Sequence, residues 1–190
     1  PAQGETTRGG LPPTTDRDLR FGLACLGGVR GRDGGASVGT VRLRSSQFGP
    51  EKWGAVQATG APDTPTEGDH DTAWATHTPQ EGVQWIELQY GSAVYATTVR
   101  IRETCSPGAV AKVELRDLEG TCHKVWEGKD TTEKAPAFFE VNFEQTPYLV
   151  QSVRIYVDTD RVQGWNEIDA VELLGVETPP EGTTFVVGDE

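Results

Sequence analysis

From Val41 to Gly175 apolar and polar residues alternate with a period of two, in short runs separated by glycine and proline. "VRLR" sets Val41 and Leu43 against two arginines, and "IELQY" sets Ile86, Leu88 and Tyr90 against Glu87 and Gln89. "VRIRE" points Val99 and Ile101 inward, "KVELRD" Val113 and Leu115, "FEVNFE" Phe139, Val141 and Phe143, and "VRIYVD" Val153, Ile155 and Val157. Successive side chains of a strand point to opposite faces, so each run predicts a strand with one buried face. Apolar positions at i, i+3, i+4 and i+7 are not sustained anywhere, and no long amphipathic helix is expected. Short strands with Gly/Pro turns between them predict an all-β domain built as a two-sheet sandwich.

The flanks differ. Residues 1–40 are rich in Gly, Pro, Thr and charge and hold one apolar island, "LRFGLACL", whose Leu19, Phe21, Leu23 and Leu26 are the expected anchor of an extended arm. The sandwich is expected over residues 41–176, and residues 177–190 form an acidic tail whose "TTFVV" has the composition of an edge strand. The chain begins at Pro1, which is expected from removal of an export leader or from trimming of an initiator methionine.

Composition narrows the function classes. A formal charge of −12 on 190 residues repels polyanions, and no Lys/Arg cluster rises above that background, so nucleic acid is not an expected partner. No apolar run reaches the roughly 18 residues of a membrane helix. The three cysteines are odd in number. If Ser106-Pro107-Gly108 is a hairpin turn, Cys105 and Cys122 lie at opposite ends of one strand, ~20 Å apart at ~3.3 Å per residue and beyond bonding distance. The same geometry takes His123 away from Cys105 and leaves no base for a thiol nucleophile. "GGVRGRDGG" lacks the Lys-Ser/Thr of a phosphate loop, and with no pocket signal around any carboxylate pair the chain is not expected to be an enzyme. The cysteines are left as three free thiols, or as one bond to Cys25 and an odd thiol left over, and unpaired thiols favour a reducing compartment.

Two loops carry candidate chemistry. "PDTPTEGDHDTAW" gathers Asp63, Asp69 and Asp71, oxygen ligands of the kind Ca²⁺ takes, or else the carboxylates of an acidic turn. "DTDRVQGWN" brings Arg161, Gln163, Trp165 and Asn166 together, a polar and aromatic surface suited to a sugar, or a loop whose Trp165 caps the sandwich. Trp53 and Trp126 are also free of the strand patterns, whereas Trp74 and Trp85 are expected in the core.

"SSQFG", "ATGAPDT", "AWAT", "QWIELQY", "VYATTVRIRETCSPGAV" and "WNEIDAVELLGV" follow one another in an order that resembles the discoidin-like, coagulation factor 5/8 type C-like domains. The similarity is to the branch found in pappalysin-like proteins, in an F-box protein with leucine-rich repeats and in bacterial proteins. It implies a galactose-binding-like jelly roll with binding loops at one end, in modules that bind glycans, lipids or proteins without catalysis. In calcium-bearing relatives an acidic loop meets a carboxylate of the last strand. "EIDAVEL" offers Glu167 or Asp169 for structural Ca²⁺, with Ala170 where the usual glutamate stands. The expected function is a structural or interaction subunit that docks on protein partners in a larger assembly through sandwich and arm. The alternative is a carbohydrate-binding module, calcium-stabilised, with a glycan as partner. The resemblance and the acidic surface favour an extracytoplasmic site, periplasmic or secreted, against a cytoplasmic one.

Overall fold

A computed structural model describes residues 28–31 and 36–183, with side-chain surroundings from Gly39 onward. The expected arm anchor at Leu19–Leu26, Cys25 and nearly all of "TTFVV" lie outside the described residues. The elements are β1 (Gly28–Gly31), β2 (Ala36–Arg44), β3 (Val83–Cys105), β4 (Val110–Asp117), β5 (Cys122–Glu127), β6 (Ala137–Asn142), β7 (Leu149–Asp158) and β8 (Glu167–Val176), with one 3₁₀ turn at Ala55–Ala58. Among the described residues no helix is long and apolar enough to cross a membrane.

The 23-residue β3 serves both layers. Its first half pairs with β2 on one side and β7 on the other, with Ile86 opposite Ile155, and β7 continues to β4 and β5. After a register shift between Gln89 and Val94, its second half pairs with β8 and β6, with Ile101 opposite both Val171 and Phe139. β1 lies parallel to β8 and antiparallel to β2, so it links the layers at one edge. β1 and the start of β2 fall within residues 1–40, and the sandwich therefore takes in part of the glycine-rich arm. Ladder hydrogen bonds need backbone only, which is why an apolar pattern did not mark these strands.

The inward sets of the alternating runs meet between the layers. Ile86, Leu88, Tyr90, Val99, Ile101, Val113, Leu115, Val153, Ile155 and Val157 are all buried, joined by Trp74 from the long β2–β3 connection. The result is an antiparallel jelly-roll sandwich, as the periodicity predicts.

Four local expectations are corrected. Ser106-Pro107-Gly108 does not turn a hairpin: β4 pairs with β7, so the segment crosses from one layer to the other. Leu43 does not join the core, because a bulge between Val41 and Leu43 shifts the phase, sets Leu43 opposite Glu87 and leaves it 47% exposed. Trp85 lies on the outer face with the Arg154 guanidinium 4.2 Å above its ring. Glu87, expected in solvent, is sealed beneath three arginines drawn from three strands. Arg42 Nη1 and Arg116 Nε donate to Oε1 at 2.5 and 2.9 Å, and Arg154 Nε donates to Oε2 at 2.8 Å. Burial alone would raise the Glu87 carboxyl, but the guanidiniums overcome it and hold the group below the usual range.

Replacing Glu87 with Gln leaves three guanidiniums crowded around a neutral amide. Glu87→Gln is expected to lower unfolding free energy by about 2 to 3 kcal/mol, less than for a fully sealed pair because the arginines reach water. Urea denaturation of the two proteins checks this.

Candidate functional site

The ends of β2, β3, β5 and β7 and the starts of β4 and β8 meet at one end of the sandwich, where the long connections gather. The 45–82 connection is anchored there by Trp74, which exchanges backbone hydrogen bonds with Ile168 and donates Nε1–H to the Ser46 carbonyl at 3.0 Å. Asp169 holds the same connection by accepting from the Asp63 and Thr64 backbone N–H groups at 3.3 and 3.4 Å and from Thr64 Oγ1 at 3.2 Å.

On this support three aromatic rings form a cup. Phe48 meets Trp53 at 5.5 Å and 72°, and Trp165 at 6.0 Å and 90°, both edge to face. Trp53 Nε1 donates to Asp69 Oδ1 at 2.7 Å, and Trp165 Nε1 to the Thr76 carbonyl at 3.2 Å, so both indoles are fixed in orientation. The Trp53 backbone has φ 51°, a left-handed conformation rare for a bulky residue, held by hydrogen bonds to Asp71 and Ala75. The rings, with Asp69, Ala75 and Glu167, enclose about 110 Å³.

Glu167 at the start of β8 is 1% exposed. Its Oε2 accepts from the His70 backbone N–H at 3.1 Å, while its buried Oε1 has no hydrogen-bond donor. Burial pushes this carboxyl up to about 8, the His70 N–H opposes the rise, and the neighbouring Asp69 carboxylate adds to it.

The remaining candidates are dispersed. Asn166 is buried and donates to the Ser106 carbonyl at 2.6 Å, a structural bond across the end of the sandwich. Arg161 turns away from the cup, donates to Asp158 at 3.0 Å and to the Gly128 carbonyl at 2.5 Å, and lines a second, wider cleft of about 780 Å³ with Gly108, Lys129 and Asp130. Gln163 is exposed on the same connection. Trp126, expected free, packs edge-on against Phe139. Phe48 was missed by sequence reasoning: its one signal is an aromatic between Gln47 and Gly49 in an otherwise polar loop, which does not say where the ring points.

Cys105 and Cys122 are both free thiols. The Cys105 thiol is raised, chiefly by burial and further by Glu167, Asp69 and Glu67, opposite to what a nucleophile needs. His123 is bonded to Asp117 at 2.7 Å and stacked on Tyr148, near the start of β5 and at the end of the sandwich away from Cys105.

The sequence profile described as pappalysin-1, SD scarf domain, C-terminal, matches residues 40–183. The chain belongs to this scarf-domain family. No curated protein sequence matches it. Solved structures similar to the scarf domain include a family 32 carbohydrate-binding module from Clostridium perfringens in complex with GalNAc-β-1,3-galactose, 14% identical, covering 72% of this chain and 95% of the module at a TM-score of 0.55. A family 32 module from Streptococcus pneumoniae EndoD is 9% identical over 72% of this chain and 95% of its own, with a TM-score of 0.54. XRCC1 bound to the DNA polymerase β catalytic domain is 13% identical over 73% of this chain and 96% of its own, at 0.55. These likenesses establish the discoidin-like, galactose-binding-like fold.

The scarf domain's acidic loop does not assemble a calcium cage. Asp169 is spent on backbone N–H groups, Asp69 on Trp53, and Asp71 on Lys52 at 2.7 Å, while Asp63 is exposed and Glu167 faces the cup. Among the described residues no group of three or more His, Cys, Asp or Glu side chains is placed to hold a metal ion. A loop already closed by its own hydrogen bonds needs no cation to fix it, so EDTA and added calcium are both expected to leave the melting temperature of the scarf domain unchanged in a thermal scan.

Titration should act instead. Glu167 is raised to about 8 and Asp169 is also raised, each chiefly by burial. Glu103, buried against the Asp130 carboxyl beneath the second cleft, is raised by burial and by that neighbour. Groups raised in the folded state bind more protons than the unfolded chain, so their contribution is complete below about pH 4 and is lost as pH rises through the folded values. Stability is therefore expected to fall between pH 5 and about 8, and Glu167→Gln to flatten part of the slope in denaturation titrations at several pH values.

Proposed function

We propose that this scarf domain is a non-catalytic carbohydrate-binding module whose sugar seat is the cup of Phe48, Trp53 and Trp165. One observation carries the reading: three aromatic rings at the loop end line one small cavity together with a buried carboxyl, one of whose oxygens accepts from no protein donor. Protonated, this carboxyl meets the Asp69 side chain; ionised, it is a buried acceptor short of a donor, and a sugar hydroxyl or amine can supply one. Flat aromatic faces supply the apolar contact that the C–H face of a pyranose needs, and rings already locked by Asp69 and Thr76 lose little entropy on binding. The C. perfringens and S. pneumoniae modules support the reading because the same sandwich serves carbohydrate binding in them. Fold alone does not assign a ligand, so the weight rests on the cup.

A second reading keeps the domain as a protein-docking subunit, and XRCC1 bound to the polymerase catalytic domain supports it with the same fold in a protein complex. In that case the part of the arm ahead of β1, with its island at Leu19–Leu26, contributes the contact, and a chain lacking residues 1–27 no longer joins its assembly in size-exclusion of the native complex.

The carbohydrate reading is tested on a glycan array with the full chain. Saturable binding to some glycan is expected, and Trp165→Ala should weaken it about 30-fold, the effect of losing a central aromatic contact. Trp165 is 36% exposed, so the variant should keep its melting temperature. A flat response across the array would sink the proposal.

A further inference from the structure

The groups in the cup select the charge of what enters it. Two carboxyl groups, Asp69 and Glu167, share the space with three aromatic rings and one alanine. A neutral hydroxyl can donate to the vacant Glu167 oxygen, but it gains nothing electrostatic from the rings. An ammonium group donates to the same oxygen, is attracted by Asp69 and by Glu167 once it has lost its proton, and gains further from any aromatic face that lines the space. The space of about 110 Å³ suits a compact head group. Neighbouring Lys52 does not provide this charge, because it is paired with Asp71 at 2.7 Å.

We propose that the cup binds an ammonium cation, either the protonated amine of an amino sugar or a methylated amine. The inference rests on the reading of the cup as a binding site and names the chemistry of its ligand. Without the cation, Glu167 holds a proton where the positive charge would be, since burial and Asp69 both disfavour its ionised form. Entry of the cation releases that proton to solvent. Of the other titratable groups, Asp69 of the acidic loop acts on Glu167 directly, and Cys105 of β3 lies near enough to feel Glu167, Asp69 and Glu67. His70 touches Glu167 through its backbone N–H, and its ring Nε2 is turned to Thr66 Oγ1 at 3.1 Å. Binding of a permanent cation is therefore expected to tighten as pH rises toward 8, by up to about tenfold per unit for one released proton, and then to level off.

The experiment is a tryptophan-fluorescence and calorimetric titration of the full chain with choline and with 3,3-dimethylbutan-1-ol, which has the same shape without the charge. Choline should bind at least about tenfold more tightly. Glu167→Gln should weaken choline and abolish the rise with pH. Trp165→Ala, at the surface, should weaken it with the fold intact. Glucosamine oligomers and their N-acetylated counterparts identify the source: preference for the free amines makes the ligand an amino sugar, and binding of choline with neither oligomer makes it a methylated amine and removes the carbohydrate reading. Equal binding of the acetylated oligomer would overturn the cation while leaving carbohydrate binding in place. Equal affinity for choline and its neutral isostere, or no binding of choline, would also overturn it.

Discussion

Everything at the loop end depends on β3 belonging to both layers. A strand that leaves one sheet and enters the other must satisfy its ladder hydrogen bonds four times over, with β2, β7, β8 and β6, and so fixes the position of each. Two residues show how little freedom remains near the crossing. Tyr90, at the end of the first half, reaches across the core to donate its hydroxyl to the Val171 carbonyl at 3.1 Å. Gly175 lies so close to the second half that a Cβ there would come within 2.4 Å of the Tyr95 carbonyl oxygen. With β8 held in this way its first residue, Glu167, is carried to the rim beside the end of β3, beneath the loop that bears Trp53.

The fold handles its buried carboxylates in three ways, and the differences separate structure from site. Glu87 is ionised and surrounded by guanidiniums, a closed electrostatic knot on the outer sheet face. Asp169 is satisfied by backbone N–H groups and a hydroxyl, so its charge holds a loop. Glu103 and Glu167 have neither arrangement: each keeps one oxygen without a donor and lies against another carboxyl. Of these two, only Glu167 lines a cavity walled by aromatic rings, and that conjunction gives the cup its chemistry.

Much of the fold was legible because a strand's period survives any tertiary arrangement: Val113 and Leu115 face the core whichever strand lies beside them. What neighbours what was not legible. The hairpin expected at Ser106-Pro107-Gly108 follows the local turn chemistry, yet β7, about 40 residues later in the chain, wins the place beside β4 because Ile155 packs in register between Ile86 and Val113. Leu43 was misread because one inserted residue in β2 inverts the alternation beyond it, and Glu87 because three arginines far apart in sequence converge over it. At the site, Trp53 and Trp165 were visible as aromatics outside the strand patterns, but Arg161 faces a different cleft, and Phe48 carried no mark of its position.

The sequence by itself determined the all-β class, the inward faces of the strands and the acidic and aromatic loops, because these follow from side-chain alternation and local turn chemistry. Only the tertiary structure decided which aromatics form a cup and which carboxylates are spent on arginines, on backbone or on nothing. Those outcomes depend on contacts between residues scores of positions apart, and no local pattern records them.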